Sequence, residues 1–370
     1  MSFDRTVPYN DLPGLPPDLG GMVSGMIPLV VSAHRSLAEL KGYCQTLPNP
    51  ELLLNAVVLH ESKDSSEIEN IVTTQDELFR AAAAEAVGAR ESIPAPAKEV
   101  LRYREAAYWG WTELQRTGLI TTNTLKGIVQ RLKDNDAGVR TKSVVIGKRS
   151  GDVVYTPPEG EGVLRDKLEK LEAFINDDRG AGADIDPLVK MALVHYQFEA
   201  IHPFYDGNGR TGRILNVLYL IQQGLLQSPV LYLSAYILGH RADYYRLLRA
   251  VTEEEDWASW VRYMLEGVRA TSQATLDLIR GVNDLIETTA ETAKEGMKNG
   301  YSRDLVRLLF RQPYCKIQFI LDEGLAASRA TASRYLADLE RIGVVESLQV
   351  HREKYFINYR LLDMLASFRP

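Results

Sequence analysis

A glycine-rich polar turn set between two helix-length apolar segments constrains this chain more than any bulk property. The run His202-Pro203-Phe204-Tyr205-Asp206-Gly207-Asn208-Gly209-Arg210-Thr211-Gly212-Arg213 packs an imidazole, a carboxylate, an amide, three glycines and two arginines into twelve residues. Such a mixture makes a poor core element. Before it, Asp186-Pro187-Leu188 opens a stretch with apolar Met191, Ala192, Val194 and Phe198, which predicts a helix capped by Asp186 with Pro at its first position. After it, the residues from Arg210 onward, through Ile214, Leu215, Val217, Leu218, Leu220 and Ile221, are apolar nearly all round and predict a buried helix stopping at Gly224. The polar run is then a loop between two helices, with its glycine turn at a helix N-terminus.

That position suits phosphate, because free N–H groups and the helix dipole both favour an anion there. Gly207, Gly209 and Gly212 let a ligand approach the backbone, and Gly207 and Gly209 can take positive φ at no steric cost. Arg210 and Arg213 add bidentate donors. Asp206 is a hard oxygen ligand suited to Mg²⁺ shared with phosphate oxygens, and His202 is a candidate general base near neutral pH. The glycines also spell G-x-G-x-x-G, but a helix precedes them and no Asp or Glu occurs between Asp206 and Asp243, so a dinucleotide fold is rejected. No Walker phosphate loop is present.

The run resembles the signature of the Fic family, H-x-F-x-[DE]-G-N-G-R-x-x-R, with every specified position matched. The resemblance implies a mainly α fold, a helical core with a β-hairpin flap, and transfer of AMP from ATP–Mg²⁺ to a Tyr, Thr or Ser hydroxyl of a target protein or of the chain itself. It implies that His202 deprotonates the hydroxyl, Phe204 anchors the loop, Asp206 binds Mg²⁺, and Gly207, Asn208 and Gly209 form the anion hole. Arg210 would hold the β-phosphate and Arg213 the γ-phosphate, with Thr211 and Gly212 beside them. Upstream, Ser65-Ser66-Glu67-Ile68-Glu69-Asn70 resembles the family's inhibitory motif, [ST]-x-x-x-E-[GN]. Ser65 and Glu69 share one helix face at a spacing of four, and an inhibitory helix is expected around 62–80. In the family the glutamate seats on the second arginine, here Arg213, and excludes the γ-phosphate; some members use it to orient water for AMP removal. The bland alternative is a capped helix start at Asp64 or Ser65 with solvated glutamates.

Val144-Val145-Ile146 and Val153-Val154-Tyr155 predict the hairpin flap, with its tip at 147–152, which in the family pairs with an extended target segment. Tyr244 and Tyr245 either border the adenine pocket or pack the core beneath it, and His240 stands where many relatives have Asn. His195 reads as a satisfied core histidine; His34, His60 and His351 are assigned no role. Three regions are expected: an N-terminal helical region over 1–110, the Fic core over 111–295, and a winged helix-turn-helix domain over 301–370. In the last, eleven Lys and Arg against eight Asp and Glu give net +3, while the other 300 residues carry −9. A helix over 327–339 would present Ser328, Arg329, Thr331, Ser333 and Arg334 and bury Leu336, Leu339 and Ile342. DNA contact through this domain is one expectation, but so small a charge favours protein contact. A nucleotide-sensing DNA regulator, an AMP-removing enzyme, or transfer of another phosphate-containing group are the alternatives to AMP transfer. Pro8, Pro13, Pro16 and Pro17 predict an extended N-terminal arm. Cys44 and Cys315 suit a reducing cytoplasm, and no stretch is expected to cross a membrane. A homodimer is expected by analogy with the family.

Overall fold

The helical periodicity is realised in a computed structural model, which describes residues 3–46, 50–86, 93–147, 151–180, 182–311, 313–350 and 353–368. Helices α1 (Ile27–Thr46), α2 (Pro50–Ile68), α3 (Gln75–Ala86) and α4 (Ala95–Thr117) come first. They lead through α5 (Thr122–Lys133) to the short strands β1 (Ile146–Gly147) and β2 (Val153–Tyr155). The core continues with α6 (Glu161–Ile175), α7 (Pro187–Ile201), α8 (Asn208–Gln222), α9 (Leu233–Gly239), α10 (Arg241–Glu254) and the long α11 (Trp257–Gly296).

The centre of the molecule is α7 against α8. Asp186 caps α7 by accepting from the Leu188 and Val189 amides, and Pro187, which has no N–H to lose, opens it. All of Leu188–Ile201 except Glu199 is buried, because α1, α6, α8 and α11 surround the helix. Each large apolar side chain so buried contributes roughly 1.5–3 kcal/mol. The second helix begins at Asn208 rather than Arg210, since Gly207 at φ 83 turns the chain directly into it. Gly224, at φ 67, ends the run where the sequence placed the stop.

The flap is antiparallel, with Ile146 opposite Tyr155. Residues 148–150, at its expected tip, lie outside the described residues. The Tyr155 hydroxyl donates to the Ala200 carbonyl at 2.8 Å, tying the flap to the end of α7. The N-terminal arm lies along the flap: the Tyr9 amide donates to the Thr156 carbonyl, and the Phe3 ring stacks on Tyr155. Both sheets among the described residues are antiparallel, which leaves no place for a dinucleotide fold.

The C-terminal unit comprises α12 (Arg303–Arg311), β3 (Tyr314–Cys315), α13 (Ile317–Asp322), α14 (Arg329–Arg341), β4 (Glu346–Val350), β5 (Glu353–Ile357) and α15 (Tyr359–Ser367). Its sheet order is β3-β5-β4, so three helices carry a hairpin wing in the expected order. Residues 351–352 of the wing, His351 included, lie outside the described residues. Ser328 caps α14; Ala332, Leu336 and Leu339 are buried, Ile342 and Thr331 half-buried, and Arg329, Ser333 and Arg334 exposed. The long α11 ends at Gly296, just before this unit. The unit is not a free appendage, since α12 packs on α2, β3 on α3 and α15 on α11. The Tyr314 hydroxyl bonds Asp76, and Phe368 stacks on Tyr232 with ring centroids 5.1 Å apart. No helix among the described residues is long and apolar enough to cross a membrane.

Candidate active site

His202 ends α7 in the left-handed region, at φ 48, a conformation that costs a non-glycine residue about 1–2 kcal/mol. Arg140 holds it there. This fully buried guanidinium donates to the carbonyls of His202 at 2.7 Å, Lys142 at 3.2 Å, Ile201 at 3.3 Å and Pro158. The Asn208 side chain closes the same loop, accepting from the Phe204 amide at 2.9 Å and donating to the Phe204 carbonyl at 2.8 Å. Its side-chain oxygen and one of its amide N–H groups are thus engaged in the loop. Phe204 is buried beneath, beside Phe198. Burial first, and then the charge of Arg140, push the His202 imidazole down to about 4. It is neutral at neutral pH, with a lone pair able to take a proton.

The opening N–H groups of α8 have no partner within the helix. Gly207 supplies the positive-φ turn before them, whereas Gly209 lies in the first helical turn and does not take positive φ. What Gly209 supplies is room: a Cβ there would lie 2.3 Å from Glu69 Oε1 and 3.1 Å from Arg213 Nη1. Gly212 faces α7 instead, where a Cβ would lie 2.4 Å from Glu199 Oε1, so it serves helix packing. Thr211 is fully buried.

Both arginines of the run are buried and already paired. Arg213 donates from Nε to Ser65 Oγ, and from Nη2 to the Ser65 carbonyl and to Glu69 Oε1, each at 2.8 Å. Burial works against its charge, but the Glu69 carboxylate holds it above its ordinary value. The motif carrying Ser65 and Glu69 lies at the end of α2 and not in a helix over 62–80; α2 stops at Ile68 and α3 starts at Gln75. The alternative of a helix start at Asp64 or Ser65 is therefore excluded. Asn70, at φ 63, turns the chain away, and its Oδ1 accepts from both Nη atoms of Arg241 at 3.3 Å. Arg210 Nη1 lies 3.1 Å from Glu99 Oε2, and its Nη2 lies 3.8 Å from Asp206 Oδ1. Lys133 Nζ lies 2.6 Å from Asp206 Oδ2. Burial opposes ionisation of Asp206, but Lys133 and then Arg210 hold its carboxyl below the ordinary range. No cluster of three or more potential metal-ligating His, Cys, Asp or Glu side chains occurs among the described residues. A lone ionised carboxylate with an ammonium resting on it still fits a Mg²⁺ that keeps its waters and shares substrate phosphates.

A cavity of about 550 Å³ opens over this surface, lined by His202, Gly209, Arg213, Glu69, Glu199 and Tyr245 among others, with the flap residues Ile146 and Val154 on one side. Three family models match in succession: Fic/DOC family N-terminal over residues 27–112, Fic/DOC family over 119–220, and the C-terminal domain of SoFic-like protein adenylyltransferases over 285–361. The chain belongs to the Fic family. Protein adenylyltransferase fic-1 of Caenorhabditis elegans is 30% identical over 154 residues, 42% of this chain and 27% of that protein. Protein adenylyltransferase Fic of Drosophila willistoni is 31% identical over 145 residues, 38% and 27% of the two chains. The chain therefore spans about a quarter of the length of the curated relatives it matches. A Fic family protein from Desulfovibrio desulfuricans G20 superposes with TM-score 0.54 at 20% identity, covering 89% of this chain and 96% of that one. A segment of Fic-1 from C. elegans gives 0.52 at 21%, covering 70% and 76%. These two likenesses show the fold.

Both tyrosines of this Fic site line the cavity. Tyr244 does so from a buried position, its hydroxyl 2.8 Å from His195 Nε2, and His195 is completed by the Gly212 carbonyl, as a satisfied buried histidine. Tyr245 is 41% exposed and forms cavity wall, with the Arg241 guanidinium 5.7 Å over its ring. His240 is exposed, stacks on Tyr236 and does not line the cavity. His34, assigned nothing, pairs with the cap of α7 at 2.8 Å from Asp186. Sequence reasoning missed Arg140, Glu99, Lys133 and Glu199. The first three lie far from the signature and carry no local pattern of their own. Glu199, three residues before His202, interrupts a buried helix, which was a signal. Burial pushes its carboxyl up to about 8.

Proposed function

We propose that this Fic chain transfers AMP from ATP to a hydroxyl of a target protein or of itself, and that Glu69 holds it inactive. The observation that carries this is a neutral imidazole, His202, in the wall of a cavity whose phosphate-side arginine, Arg213, already bears Glu69. An attacking hydroxyl gives its proton to His202 while its oxygen bonds the α-phosphorus and the bond to pyrophosphate breaks. The N–H groups at Gly207–Gly209 and the guanidinium of Arg210 oppose the charge that develops. Asp206 would hold a Mg²⁺, which would supply positive charge against the leaving pyrophosphate. A carboxylate on Arg213 takes the γ-phosphate's place and keeps the triphosphate out of line for attack. Tyr245 is taken as the wall of the base pocket, and the flap as the edge to which a target segment adds. The C-terminal unit serves protein contact, in keeping with its small charge and its docking on α2 and α3.

The test is transfer of label from ATP carrying it in the α-phosphate, with Glu69→Gly protein, Mg²⁺ and a cell lysate. Label on protein that disappears on adding His202→Ala is expected. Label only from the γ-phosphate, or none with folding and ATP binding intact, would overturn AMP transfer.

A further inference from the structure

Four charged side chains from four elements meet beside the glycine turn: Glu99 of α4, Lys133 at the end of α5, Asp206 of the loop and Arg210 of α8. Their pairing is Lys133 with Asp206 at 2.6 Å and Arg210 with Glu99 at 3.1 Å. The crossed pairs are longer, Lys133 to Glu99 at 4.0 Å and Arg210 to Asp206 at 3.8 Å. The Lys133 stem runs past Gly207, with its Cγ and Cδ 3.7 Å from where a Cβ would stand. Its ammonium therefore rests on the carboxylate just beside the anion turn.

Asp206 and Arg210 have a second use once a nucleotide and its metal arrive, and Glu99 and Lys133 have none. Two opposite charges 4.0 Å apart would be left over, each losing its partner at the same moment. Granting the nucleotide site proposed above, on which this rests, we propose that Lys133 is the resident counter-cation of the metal carboxylate. When a divalent cation takes Asp206 and a phosphate takes Arg210, Lys133 and Glu99 close on each other. After the exchange Asp206 faces the cation, Arg210 the phosphate and Lys133 faces Glu99, so no charge in this half-buried cluster is left without a partner. It also makes metal binding competitive with an internal ammonium, a control separate from Glu69, which acts only on Arg213.

The probe is ADP, which lacks the phosphate that Glu69 excludes, so Glu69 stays in place throughout. Calorimetry measures the ADP affinity of the full chain with Mn²⁺ and with EDTA, and the ratio of the two is the gain from metal. Loss of a part-exposed competing pair in Lys133→Met is expected to raise that gain about fivefold. Lys133→Arg keeps the competing charge and stays near wild type, which controls for damage to α5. Glu99→Gln leaves Lys133 nowhere else to go, so the gain from metal falls below wild type while ADP in EDTA binds more tightly. A Lys133→Met protein whose gain is unchanged or smaller, with Lys133→Arg normal, overturns the exchange and makes Lys133 an ordinary phosphate contact. Asp206→Ala that keeps the full gain removes the metal site itself, and ADP that binds no variant removes the nucleotide site.

Discussion

Replacing Glu69 with glycine in a His202→Ala background, which prevents turnover, is expected to tighten ATP about tenfold without a comparable effect on ADP. The perturbation removes one contact, the charge-assisted hydrogen bond from Arg213 Nη2 to Glu69 Oε1 at 2.8 Å. The two bonds from Arg213 to Ser65 remain, so the guanidinium keeps its place. Hydrogen bonds to charged groups contribute roughly 1.5–3 kcal/mol. Glu69 is 35% exposed and partly screened by water, so the lower end applies, about 1.5 kcal/mol, which is a little over tenfold. On the proposed reading ATP has to displace this carboxylate to seat its γ-phosphate, and ADP does not. Titration calorimetry of the two nucleotides with Mg²⁺ reads both affinities directly. An ATP affinity unchanged by Glu69→Gly, or an equal gain for ATP and ADP, would refute the idea that Glu69 occupies the γ-phosphate position.

Because the His202 imidazole is pushed down to about 4 from its ordinary 6.5, it stays neutral as pH falls through 6. The acid limb of transfer by Glu69→Gly is therefore expected below pH 6, and a limb centred at 6.5 would contradict it; by the same sign, the stability that the neutral form contributes above pH 6.5 is lost as pH falls toward 4. Arg140→Ala leaves the carbonyls of His202, Ile201, Lys142 and Pro158 without their donor. At about 1–3 kcal/mol for each buried group left unsatisfied, urea unfolding should show a loss of at least about 3 kcal/mol, and a loss under about 1 kcal/mol would show that the loop stands without it. Gly209→Ala sets a methyl 2.3 Å from Glu69 Oε1 but also over the anion turn. It is expected to lower transfer by about a hundredfold in the Glu69→Gly background, and activation by Gly209→Ala alone would mean the turn does not face the phosphates.

What the sequence made legible was local. Asp186-Pro187 announced α7, the all-round apolar pattern announced α8, and the run between them carried its own chemistry because its residues are consecutive. The pairing of Ser65 and Glu69 with Arg213, nearly 150 positions away, came from the resemblance and not from spacing. Its position within the helix was misjudged, because Ser-Ser-Glu reads as an opening cap and the positive φ of Asn70 has no sequence signature stronger than Asn itself. The anion-hole role of Asn208 came from the resemblance; that its side chain also closes the loop on Phe204 is visible only in the geometry. Arg140, Glu99 and Lys133 were illegible for a simpler reason. Each is an ordinary charged residue in an ordinary helical or loop context, and its partner is supplied by packing of elements distant in the chain.

Arg210 and Arg213 are 2% and 1% exposed. A buried guanidinium without a partner costs several kcal/mol, so a site strong enough to hold a polyphosphate cannot simply stand empty. The N-terminal helices supply the missing charge, Glu99 to one arginine and Glu69 to the other. On the proposed reading, inhibition would be partly a consequence of stability: the carboxylate proposed to exclude the phosphate also pairs with Arg213 in its buried position. The two effects should separate along a graded series. Glu69→Gln keeps an acceptor oxygen for Arg213 Nη2 but gives up the charge, while Glu69→Gly gives up both. Melting temperature without nucleotide is expected to fall in the order wild type, Gln, Gly, transfer rate to rise in the same order, and ATP to raise the melting temperature most in the glycine variant. A glycine variant as stable as wild type without nucleotide would mean that Ser65 alone satisfies Arg213, and that Glu69 is held in place for inhibition only.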